Sequence, residues 1–216
     1  KVEFLKRHKE FDFVLNYGEI VNETDLNHQL GILKRTKPIG KDELFKDLLD
    51  ESNVVFGPGT ILVKTESLKK AIPDLDIYES REGQNWQLML PLAYCCSVGY
   101  LDEVLFKYVV HTDSHSHTKR TLEQEYKRRD NFYKLQCETI DKIGTMQKNE
   151  KEYWKNYALT RSILTKYRMA IYYHNFLESV KKQSELKERG VKILWKDGFL
   201  SHHFRIITRR IKEIVG

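Results

Sequence analysis

Residues Phe11 to Tyr17 (FDFVLNY) alternate apolar and polar side chains, the period of a half-buried strand. Val54 to Val63 (VVFGPGTILV) is β-branched on both sides of a Gly-Pro-Gly interruption and reads as a second strand or strand edge. Between them the period becomes helical. Asp42 to Leu49 sets apolar residues three and four apart, behind a loop with Pro38 and Gly40, and Thr65 to Ala71 reads as a short helix closed by Pro73. The longest uncharged run, Gly83 to Leu101, puts Trp86, Leu90 and Tyr94 on one helical face and Leu88, Leu92 and Cys95 on another, so it predicts a helix buried on most of its circumference, with Gly99 placed to end it. Val104 to Val110 is rich in strand formers, and the polar stretch His111 to His117 (HTDSHSH) follows. Strand, helix and strand in this order predict an α/β domain.

From Thr118 onward the pattern is long, charged and helical. Thr121 with Gln124 has the form of a capping box, Leu122, Tyr126, Tyr133, Cys137 and Ile140 keep helical spacing, and Gly144 ends the run. A second helix is expected from Glu150 to about Glu185, and a last one from near Ser201. The chain therefore divides into an α/β part over residues 1–117 and an α-helical extension over 118–216.

Charge sharpens that division. Lys1 to His117 carries 14 Lys and Arg against 19 Asp and Glu, a net of −5, whereas the rest carries 23 against 12, a net of +11. An acidic globular part with a basic tail suggests an anionic partner for the tail. Three cysteines, Cys95, Cys96 and Cys137, give neither an even disulfide framework nor a Cys-x-x-Cys metal signature, and read as reduced thiols. The uncharged run is long enough to raise the question of a membrane span, but Gln84, Asn85, Gln87, Pro91 and Ser97 within it suit a protein interior better than hydrocarbon. No export signal is visible near Lys1, and a cytoplasmic location, peripheral to the inner face of the membrane, is expected.

The stretch Ile77 to His117 resembles the end of the catalytic domain in the inverting GT-A glycosyltransferases of family 2. The matching residues are Gln84, Asn85 and Trp86 at a helix start, Gly99 and Tyr100 in a following strand, and then Tyr108, His111, Ser114 and Ser116. The segment FGPGTILVKTESL, Phe56 to Leu68, resembles the family strand and helix before that helix. The resemblance implies the C-terminal part of a GT-A nucleotide-diphospho-sugar transferase domain, followed by the helical extension. It further implies an acceptor site formed by Gln84, Asn85, Trp86 and Gln87, and a possible metal or phosphate contact at His111.

Two departures from the family follow. Where the family carries an Asp that deprotonates the acceptor hydroxyl, this chain has Asn85, whose amide takes no proton at physiological pH. Glu82, with Glu79 behind it, is the nearest carboxylate and the candidate catalytic base; its alternative is a solvated residue at a helix N-terminus. The family's Asp-x-Asp, which holds Mg or Mn against the donor diphosphate, is matched only by Asp74-Leu75-Asp76, in the wrong place. The donor-binding half is expected to lie outside these residues, and this chain alone is expected to be inactive. Trp86 suits an acceptor platform or the core, with the core favoured for its ring. His111, His115 and His117 lack the matching cysteines or carboxylates of a zinc site. Gly57 and Gly59 around Pro58 suit a ligand approach or a strand bulge.

The function expected from the sequence is sugar transfer from a nucleotide-diphosphate donor to a glycan or lipid-linked hydroxyl. The alternative is a basic helical module binding nucleic acid or protein, carried by Lys and Arg interleaved with aromatics after Thr118. That interleaving is also what packed amphipathic helices require, so nucleic acid is the weaker partner. In the last helix Phe204, Ile207, Ile211, Ile214 and Val215 form an apolar stripe beside Arg205, Arg209, Arg210 and Lys212, a pattern suited either to packing on the second helix around Tyr157, Leu164, Tyr167 and Ile171 or to an anionic membrane surface.

Overall fold

A computed structural model describes residues 1–35, 43–55, 57–80, 85–111 and 120–193. Its centre is strand β1, Phe13–Asn22, where Phe13, Val14 and Leu15 are all buried. Three consecutive buried side chains on a strand require cover on both faces. β1 pairs in parallel with β4, Val98–Val110, along its whole length. On its other edge it pairs antiparallel with β3, Ile61–Val63, near its start, and with β2, Asp25–Leu33, near its end. The sheet is thus mixed, and the protein is of the α/β class.

The helices are α1, Val2–Arg7; α2, Glu43–Asp50; α3, Thr65–Ala71; α4, Trp86–Cys95; α5, Leu122–Lys142; α6, Lys148–Tyr172; and α7, Phe176–Glu188. The chain forms two compact units, Lys1–Lys119 with Lys134–Ala158, and Arg120–Tyr133 with Leu159–Gly216. In the first, α4 packs on α2 and α3. The start of α6 is tied in by two phenols: Tyr94 donates to Glu150 (2.6 Å) and Tyr157 donates to Asp50 (2.6 Å). In the second, Ile163, Tyr167, Ile171 and Leu186 form the core.

α2, α3 and α5 match the sequence pattern, and Thr121 and Gln124 make the reciprocal bonds of a capping box, 2.9 and 3.3 Å. Four expectations are corrected. β1 continues past Tyr17 into a hairpin with β2, turned at Asn22–Asp25 by the Asn22 and Asp25 side chains, which accept from Thr24 N–H and Asn27 N–H. Among the described residues of the Val54 to Val63 stretch, strand is confined to β3, after a 3-10 turn at Pro58–Thr60. α4 ends at Cys95, and Gly99 lies in β4, where the rings of Phe4 and Phe11 leave no room for a Cβ. The helix expected from Glu150 to about Glu185 is two helices: His174 adopts φ +56° and Asn175 caps α7 by accepting from Glu178 N–H.

Candidate functional site

The residues singled out around the start of α4 separate into buried and accessible ones. Trp86 is 4% exposed, and its indole N–H donates to Leu48 O at 3.0 Å. A ring with both faces in the core and its polar atom engaged offers no platform, so the acceptor contact expected of Trp86 is corrected to an anchor. It pins the start of α4 to the end of α2. Asn85, half-buried, caps α4 in the left-handed region, φ +65°, a conformation Asn tolerates better than most residues. Its carbonyl takes the first helical bond, from Met89 N–H at 2.8 Å. Gln84 and Glu82 lie outside the described residues.

Gln87, one turn-step beyond the anchor, is half-buried and lines a cavity of about 100 Å³ in the first unit. Its apolar wall is Ile72, Pro73, Ile77 and Pro91. Its polar groups arrive from three elements: Asp74, Asp76 and Tyr78 from the segment after α3, Gln87 from α4, and Thr139 and Lys142 from α5. Lys142 donates to Asp76, which leaves Asp74 as the excess charge on the wall. An apolar wall with a few converging polar groups is the usual make-up of a small-molecule site. This set, two carboxylates with one amide, a phenol and a hydroxyl, is suited to hydroxyls.

Asp74 and Asp76, unassigned by their motif, thus join Gln87. Thr139, Lys142 and Tyr78 were not anticipated: the first two lie on α5, whose spacing reads as packing, and Tyr78 lies in the segment after α3.

His111 stands at the end of β4, and its Nδ1 is 2.7 Å from Glu23 Oε2 on the hairpin. One imidazole and one carboxylate fall short of a divalent-cation site, and among the described residues no three His, Cys, Asp or Glu side chains come together. His115 and His117 lie outside the described residues. Gly57 and Gly59 face a side chain: a Cβ on Gly59 would lie 2.1 Å from the Phe106 ring. The glycines admit that ring, which favours the packing reading over ligand approach. Cys95, Cys96 and Cys137 are free, and burial pushes the Cys96 thiol up to about 11, holding it protonated. Among the described residues no helix is long and apolar enough to cross a membrane. No family model, curated protein or solved structure matches the chain.

Proposed function

We propose that the intact protein is an inverting GT-A glycosyltransferase and that the cavity beside Gln87 belongs to its acceptor side. The supporting observation is the convergence of Gln87, Asp74, Asp76 and Tyr78 next to the start of α4, where the family resemblance expects acceptor contacts. In this reading Trp86 fixes the helix, Gln87 offers both a donor and an acceptor to a sugar hydroxyl, and Asp74 accepts from another.

Glu82 removes the proton from the attacking hydroxyl. The oxygen then displaces the nucleotide diphosphate from the opposite side of the anomeric carbon, inverting it; the carbon–oxygen bond to the diphosphate breaks as the new one forms. Mg or Mn would offset the charge of the departing diphosphate when bound. The described residues do not make up its site, and the proton transfer does not pass through it.

Steady-state kinetics of the intact enzyme test the reading. Gln87→Ala is expected to raise the acceptor KM by about tenfold, the worth of one or two hydrogen bonds, with the donor KM unchanged. Glu82→Gln is expected to lower kcat by about 10² to 10⁴-fold. An unchanged acceptor KM removes the cavity from the acceptor side, and an unchanged kcat removes Glu82 from the chemistry.

A further inference from the structure

α7 buries the side that carries Ser179 and Leu186, 1% and 0% exposed, and Leu186 joins Ile163, Tyr167 and Ile171 in the core of the second unit. Leu177 stands nine residues before Leu186, which at about 3.6 residues per turn places it on the opposite side of the helix. It is 79% exposed, and Phe176 and Val180 beside it are 51% and 46% exposed. A surface helix ordinarily turns polar residues to this side; here the outer face begins with three large apolar ones. Lys181, Ser184 and Lys187, all exposed, continue it. Glu188 shares the face, Glu178 lies 3.9 Å from Lys181, and Glu185 is engaged by Lys182 at 2.6 Å. The described residues of this unit carry twelve Lys and Arg against six Asp and Glu, a net of +6.

We infer that the outer face of α7 is a docking surface for an anionic lipid bilayer, whatever the cavity beside Gln87 receives. Charge and area set aside the other occupants. A second copy would bring this basic unit against itself, and a stable dimer buries about 800 Å² on each partner, far more than the ends of three side chains supply. The stretch Arg205 to Lys212 carries the same sign as the face and is repelled by it. Nucleic acid would meet the lysines, but it stacks its bases on aromatic rings and has no use for Leu177 and Val180. A bilayer engages both kinds of group. The apolar ends enter the boundary between head groups and acyl chains, while Lys181 and Lys187 reach acidic head groups.

Sedimentation of the 216-residue chain with lipid vesicles tests this. The chain is expected to bind vesicles of equimolar phosphatidylserine and phosphatidylcholine at least about tenfold more tightly than phosphatidylcholine alone. Leu177→Ser with Val180→Ser is expected to weaken binding to the anionic vesicles by about tenfold. Lys181→Glu with Lys187→Glu should weaken it as much and reduce its dependence on salt. All four positions are exposed, so the thermal midpoint should stay unchanged in both variants. Equal binding to the two kinds of vesicle, or to neither, overturns the inference. So does vesicle binding that survives the Leu177 and Val180 changes but is lost with Ile207→Ser and Ile211→Ser. Self-association or oligonucleotide binding lost in the Leu177 and Val180 variant, without vesicle binding by the unaltered chain, also overturns it and gives the face to that partner.

Discussion

The ring of Phe106 reaches across from β4 into a space bounded by Gly18, Gly57 and Gly59. Gly59→Ala places a methyl inside that ring and is expected to destabilise by about 1–3 kcal/mol, the usual cost of overpacking. Chemical denaturation checks this, and Phe106→Leu in the same chain should recover part of the loss. The sequence offered the Gly-Pro-Gly segment as an irregular point but could not say what fills it, because the ring comes from a strand distant in the chain.

Asp12 is a second case. Burial pushes its carboxyl up, but donation from the Ser97 N–H (2.8 Å) and from the Ser67 and Ser97 hydroxyls outweighs this and holds it below the ordinary range. A depressed native value contributes stability that is present above the unfolded value of about 3.9 and is lost as pH falls toward the native one. Asp12→Asn is therefore expected to lower the urea midpoint near neutral pH, with the gap from wild type closing in acid. A gap independent of pH would assign the effect to shape and not to charge.

Elements with a signal in their own residues were legible. The capping box at Thr121 and Gln124, the apolar face of α2 and the bounds of α3 need no information from elsewhere. The division between α6 and α7 was also written locally, since Asn175 stands three residues before Glu178, but a continuous charged helical period masked it. Asn175→Ala removes the acceptor for Glu178 N–H and is expected to cost about 1 kcal/mol, read as faster amide exchange in the first turn of α7.

β2 alternates Leu26, His28, Leu30 and Ile32, yet Leu26, Leu30 and Ile32 are all more than two-fifths exposed, so no buried face marked it as a strand. The cavity was legible only at Gln87. Thr139 and Lys142 belong to a helix whose pattern announces packing, and only the fold brings that helix against the segment after α3.

At the scale of the molecule the sheet has one hub. β1 carries every strand pairing described: β4 on one edge, and β2 and β3 on the other. Leu15 pairs with both Ile61 and Tyr100 and is 3% exposed, so Leu15→Ala is expected to cost about 2–5 kcal/mol and to abolish cooperative unfolding of the sheet. The same hub sets an order on biosynthesis. The hairpin partner of β1 follows within a few residues, but its parallel partner begins at Val98. At ordinary elongation rates that strand emerges about 4–15 seconds later, and until then the Phe13-Val14-Leu15 segment can pair on one edge only, with β3. Ribosome-stalled chains ending before Val98 should be cleaved readily by protease and held by chaperones, and protection should rise sharply once Val110 has left the exit tunnel.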